Sequence, residues 1–168
     1  WHHDATTWPF DGEMVPTIWV ALSNVSKANG RLEFVKGYHS YLMKRDITYS
    51  GHYANGDFGP ADAVKCPNFW EKAENAELEI LSWDLWPGDA LIFHPRTPHG
   101  SRHAQHSSEP RIGLSSRWIG DDIVWHYRNG NVGIPGVDYM PTGEKVRGDA
   151  FPLVWQDPDI ADFQSTAD

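Results

Sequence analysis

His2 and Asp4 stand two residues apart in the opening segment WHHDATTW, with a second histidine between them. Side chains of an extended chain alternate between its two faces, so an extended segment here points His2 and Asp4 one way and His3 the other. An imidazole and a carboxylate on one wall suit iron, zinc or manganese, but two ligands hold a metal loosely and a third must come from elsewhere. His103 and His106 lie in the polar run RHAQHSSEP and read as a solvated loop, while His39, His52 and His126 have no partner at ligand spacing. The segment FHPRTPHGS remains, offering His94 at the end of an apolar run and His99 just before Gly100.

Past these histidines, Arg111 opens the alternating stretch RIGLSSRW. One face would carry Arg111, Gly113, Ser115 and Arg117, and the other Ile112, Leu114, Ser116 and Trp118. The second face is largely apolar and is expected to pack; on the first, a glycine leaves space. An arginine among small neighbours is well suited to grip a carboxylate through two parallel hydrogen bonds. Arg117 on the same face is expected either to meet an anionic group or to close a salt bridge at the sheet's end.

These residues need a scaffold of short strands. PTIWVALSNV and ANGRLEFVKGYH read as two strands, with the Asn29-Gly30 dipeptide as a hairpin-type signal between them. Residues 41 to 67 show no sustained period and read as an excursion over the surface, able to cover a site. A short helix is expected around NFWEKAENA. AELEILSWDL then alternates, WPGD turns, and ALIFHP is an apolar strand ending at Pro95. After Trp118 the chain is rich in Gly and Pro and reads as ordered coil wrapping the scaffold. Short strands, frequent turns and little helix point to an all-β sandwich or barrel, with a jelly roll as the best candidate.

Composition narrows the function. The chain has 168 residues, enough for one domain with a real core, read as a single domain over 1–168 with its core in about 1–120 and a coil-rich C-terminal extension over 121–168. A net charge of -9 with fourteen scattered Lys and Arg excludes a nucleic-acid partner. Cys66 is the only cysteine, so no intrachain disulfide and no cysteine zinc cluster can form, which fits a reducing, cytoplasmic setting. No apolar run approaches bilayer length, so no membrane partner is expected. The first residue is Trp, not Met, and the natural protein is expected to be longer.

Taken together, WHHD, NGRLEFVKGYH, WPGDALIFHPRTPHGS and RIGLSSRW resemble, in order, the motifs of the phytanoyl-CoA dioxygenase family of iron(II)- and 2-oxoglutarate-dependent oxygenases. The resemblance spans positions 1 to about 120. It implies a double-stranded β-helix of the cupin-like jelly-roll kind with long loops and a short helix. It also implies iron(II), 2-oxoglutarate and dioxygen as cofactor and cosubstrates, and oxidation of a C–H bond of a small molecule with release of succinate and CO2. His2, Asp4 and His99 would be the iron ligands, leaving His94 a supporting or structural role. Arg111 would bind the distal carboxylate of 2-oxoglutarate, Ser101 would assist, and Trp19 would lie near the cosubstrate. Halogenating relatives carry a small residue in place of Asp4, so this chain should hydroxylate or otherwise oxidise. The family's usual N-terminal part, before the WHxD motif, is absent from this chain, and a partner chain or a missing N-terminal segment is expected to cover the exposed sheet edge. The alternative reading is a non-catalytic or zinc-loaded cupin-like domain that binds a small molecule.

Overall fold

The computed structural model describes residues 1–53, 56–58, 63–102, 108–128, 131, 133–137 and 139–157. After a 3-10 turn at Asp4–Thr6 the strands run β1 (Phe10–Asp11), β2 (Thr17–Ala21), β3 (Leu32–Val35), β4 (Gly51–Tyr53), β5 (Gly56–Phe58), β6 (Ile80–Ser82), β7 (Ala90–Phe93), β8 (His99–Ser101), β9 (Gly113–Arg117) and β10 (Val124–Trp125). Helix α1 (Tyr38–Met43) follows β3, and α2 (Phe69–Glu74) precedes β6. The expected helix is α2, begun by Asn68, whose side chain accepts the Glu71 amide.

Two three-stranded antiparallel sheets, ordered β7-β2-β9 and β6-β3-β8, make the scaffold of a jelly roll. β-Branched and aromatic residues in TIWVA and ALIF favour these strands, and Pro95 stops β7 soon after Phe93. The sheets meet through Phe34 of β3 and Phe93 of β7, whose ring centroids are 5.0 Å apart. The chain crosses between these two sheets from β2 to β3, from β6 to β7, from β7 to β8 and from β8 to β9. β2 and β3, expected as a hairpin around Asn29-Gly30, lie in different sheets and do not pair. The Asn29 side chain accepts the Ser26 amide at 2.7 Å and closes a turn, but that turn carries the chain from one sheet to the other. WPGD does the same between β6 and β7: Gly88 takes φ of 99°, and the Trp86 amide donates to Asp89 Oδ2 at 2.7 Å.

Residues 41–67 are more built than an irregular excursion. They include the end of α1 and the β4–β5 pair, and Leu42 and Tyr49 are buried with Trp1, Val35 and Phe69 in one core cluster. The C-terminal part packs as well. β10 pairs with β1, and Ile123 and Trp125 form a second cluster with Phe10 and Val15, against which Val137, Met140 and Phe151 rest.

One expectation about β9 fails. The face bearing Ile112, Leu114 and Trp118 does not pack: these residues are exposed, as is Ile92 on the corresponding face of β7. The alternation holds, and the face expected to pack is the exposed one, while Arg117 of the other face reaches Asp4 in the interior. No described helix is long and apolar enough to cross a membrane.

Candidate metal centre

His2 and His99 meet as a cross-strand pair. The His2 amide donates to the His99 carbonyl at 3.0 Å and the His99 amide donates back at 2.8 Å, adding a one-residue rung to the β6-β3-β8 sheet. Residues directly opposite in an antiparallel pair place their side chains on one face, and the two rings lie 4.3 Å apart between centroids. His99 Nδ1 donates to the Thr97 carbonyl at 2.9 Å, which fixes the tautomer and turns the Nε2 lone pair outward. Phe34 and Phe93 flank the His99 ring.

Asp4, two residues on from His2, completes the set. Its Oδ1 lies 3.8 Å from His2 Nε2 and 3.7 Å from His99 Nε2, and the three ligand atoms all fall within 4.8 Å of one another. The site is buried, which has a consequence for each charge. Burial alone would raise the Asp4 carboxyl's pKa, but His99, Arg117, a hydrogen bond from Thr17 and His2 outweigh it and hold the group below the usual carboxylate value. Burial, followed by the repulsion of His99, pushes His2 down to about 3. Burial also lowers His99. The two imidazoles are therefore neutral and the carboxylate is charged, the protonation states that a cation requires.

His3 points away, as the alternation requires. It is fully buried, and its Nε2 accepts the Tyr49 amide at 2.9 Å, so it ties the opening segment to the core. His94 stands outside the cluster: its Nδ1 accepts the Arg96 amide at 3.1 Å, and its ring lies 5.8 Å from that of His39. His126 sits beside Asp11, 3.7 Å from its carboxylate. His103 and His106 lie outside the described residues.

The register of β2 and β9 brings the other expected residues to the same interior. Thr17 is opposite Arg117, Trp19 is opposite Ser115 and Ala21 is opposite Gly113, so these residues share one face of the ladder, the face from which Thr17 and Arg117 reach Asp4. Gly113 does not leave empty space. A Cβ there would sit 2.0 Å from Trp19 Cζ2, because the indole lies against the glycine. The Arg111 guanidinium reaches over the same indole, 5.8 Å from its centroid. Arg111 precedes β9 and is exposed at the mouth of the sheet rather than deep in the barrel, and among the described residues no carboxylate pairs with it. Ser101 Oγ donates to the Gly30 carbonyl at 2.6 Å, so contact with a cosubstrate carboxylate would require exchange of that bond.

Two further residues surround Asp4: Thr17, which the sequence did not single out, and Arg117, whose anionic partner the sequence left unnamed. Thr17 Oγ1 donates to Asp4 Oδ2 at 2.6 Å, and Arg117 Nη2 donates to the same oxygen at 3.0 Å. Arg117, the last residue of β9, thus meets an anionic group as expected, through a salt bridge to Asp4 in the His2–Asp4–His99 cluster. Alternation along TIWVA places Thr17 beside Trp19 on the inner face, but nothing local says which carboxylate it meets.

Two imidazole nitrogens and one carboxylate oxygen form the donor set that non-haem iron(II) takes on one face, and no thiolate competes. The sequence of residues 1–113 matches the family described as phytanoyl-CoA dioxygenase. The chain belongs to the phytanoyl-CoA dioxygenase family. No curated protein matches it in sequence. Among solved structures it is similar to the non-heme alpha ketoglutarate dependent epimerase SnoN from nogalamycin biosynthesis, with 25% identity and a TM-score of 0.61 over 90% of this chain and 52% of that one. A second structure holds SnoN in complex with Fe3+, alpha ketoglutarate and nogalamycin RO, at 23% identity and a TM-score of 0.60, covering 90% of this chain and 55% of that one. The carbocyclase SnoK from the same biosynthesis shares the fold at 20% identity and a TM-score of 0.63, covering 92% and 54%. The chain spans about half the length of the solved chains it matches.

Proposed function

We propose that this chain carries the metal-binding core of an iron(II)- and 2-oxoglutarate-dependent oxygenase acting on a C–H bond of a small molecule. The observation that carries the reading is the convergence of His2, Asp4 and His99 from three positions of the chain onto one buried spot, in a member of this family. When bound there, the metal would supply activation of dioxygen coupled to decarboxylation of 2-oxoglutarate to succinate and CO2.

The chain's own residues have separate duties. Neutral His2 and His99 and charged Asp4 hold the metal. Arg111, over Trp19 and within reach of the same interior face, receives the distal carboxylate of 2-oxoglutarate in its planar fork. Phe34, Phe93, Leu91 and Trp19 wall the interior and exclude water from the reacting centre. SnoN is named an epimerase and SnoK a carbocyclase. These names support leaving the outcome of the reaction open beyond hydroxylation, with the substrate's placement as the deciding factor. A partner chain or a further segment of polypeptide would cover the sheet edge, and the exposed Ile92, Ile112 and Leu114 at the β7-β2-β9 sheet support such a contact.

Anaerobic titration with iron(II) and then 2-oxoglutarate tests the proposal without a prime substrate. A visible metal-to-ligand charge-transfer band is expected in the wild type and absent in Asp4→Ala. A wild-type protein that binds zinc or iron but never develops the band would favour a binding domain over an oxygenase.

A further inference from the structure

A carboxylate can bind a metal through one oxygen or through both. In this chain the two oxygens of Asp4 have different surroundings. Oδ1 faces the Nε2 atoms of His2 and His99 at 3.8 and 3.7 Å. Oδ2 accepts hydrogen bonds from Thr17 at 2.6 Å and Arg117 at 3.0 Å. Both donors are fixed. Thr17 and Arg117 are directly opposite each other in the β2–β9 ladder, and Thr17 is 1% exposed. Arg117 also donates through Nη1 to Ser115 Oγ at 2.8 Å and lies 5.3 Å over the Trp8 ring. Bringing Oδ2 to the metal would require the carboxylate to rotate and give up both bonds inside a buried site.

We infer that Thr17 and Arg117 are positioning residues that restrict Asp4 to one-oxygen ligation. The inference rests on the oxygenase reading and adds a purpose to it. Were the metal held by three protein atoms and chelated by 2-oxoglutarate, a second oxygen from Asp4 would take up a coordination position that dioxygen needs. The Thr17–Arg117 pair therefore keeps open the position at which dioxygen binds. Neither residue is a ligand; both act through Asp4.

Nitric oxide, which occupies the dioxygen position of ferrous iron, reports this directly. It is titrated anaerobically into the iron(II)–2-oxoglutarate complex and followed by electron paramagnetic resonance. Removing hydrogen bonds to a buried carboxylate is expected to weaken nitric oxide binding about tenfold to a hundredfold in the Thr17→Val/Arg117→Met double variant. Thr17→Val alone should weaken it about fivefold to tenfold, and Thr17→Ser, which keeps the hydroxyl, should behave as wild type. Thr17→Val preserves shape, so it decides the matter if the double variant fails to fold. Unchanged nitric oxide affinity in Thr17→Val, with the charge-transfer band intact, overturns the inference and leaves the oxygenase reading standing. Absence of that band from the wild type removes both.

Discussion

At the scale of single residues, the division between ligand and support is testable. His99→Ala removes one of three ligand atoms and should abolish stable iron(II) binding, whereas His94→Ala leaves the cluster intact and should bind iron with near wild-type affinity. Calorimetry with iron(II) or cobalt(II) separates the two, and equal losses would mean that the third ligand is misassigned. For Arg111→Ala, leaving a cosubstrate carboxylate unpaired costs on the order of 2 to 5 kcal/mol, so 2-oxoglutarate affinity should fall roughly 30-fold to a few thousandfold with iron affinity unchanged. Because Arg111 is exposed in this structure, solvent screening places the expected loss toward the lower end. His3 gives a pH dependence. Burial and then the charge of Arg96 lower its pKa to about 3 from an ordinary 6.5. The unfolded chain therefore takes up the proton first on acidification. The metal-free protein should be at full stability above about pH 6.5 and lose about 1.4 kcal/mol per pH unit from this group between about pH 6.5 and about pH 3. His2, lowered to about 3 chiefly by burial, adds in the same direction. A urea midpoint that does not move between about pH 7 and about pH 5 would contradict both assignments.

At the scale of elements, the β2–β9 ladder is the part that organises the interior. Its register sets Thr17 and Arg117 against Asp4, and two rungs further along it seats Trp19 on Gly113. Gly113→Ala would drive a methyl group into the indole, and overpacking of this kind costs about 1 to 3 kcal/mol. The melting temperature should drop. Trp19 would shift relative to Arg111, so 2-oxoglutarate binding should weaken while iron binding holds. A variant with unchanged melting temperature and unchanged 2-oxoglutarate affinity would show that the close contact of Trp19 with Gly113 has no bearing on the site. The signals for β2, β3, β6, β7 and β9 were plain in the sequence, and these strands fall inside the expected runs, whereas β1, β4, β5, β8 and β10, each two or three residues long, were not expected as strands. The pairing of the strands was not plain. A dipeptide such as Asn29-Gly30 specifies a turn, but whether that turn joins neighbours in one sheet or crosses between two depends on what each strand's apolar face meets.

At the scale of the whole molecule, one side of the β7-β2-β9 sheet faces the opposing sheet, and on the other, among the described residues, large apolar side chains stand exposed. Ile92, Ile112 and Leu114 are 70%, 51% and 57% exposed, and Trp118 adjoins them. A contiguous apolar surface of this kind drives association. The 168-residue chain by itself should therefore self-associate, and Ile92→Lys with Leu114→Lys should shift it toward monomer in sedimentation velocity at little cost to iron binding. A wild-type chain that stays monomeric at high concentration would refute the expectation.

The residue types and their spacing were sufficient to single out His2, Asp4 and the His94/His99 segment, because metal ligation demands particular atoms and strand alternation fixes which near neighbours share a face. They also separated His3 from His2 and Asp4, as the structure bears out. The family motifs favoured His99 over His94, and the fold places His99 in the cluster. What the sequence could not determine is everything that depends on a contact between distant segments. That Arg117 pairs with Asp4, that Trp19 fills the space above Gly113, and that the apolar side of β9 faces outward follow from which strands lie side by side and in what register. Alternation separates the two faces of a strand, but only the packed sheets decide which of them is the inside.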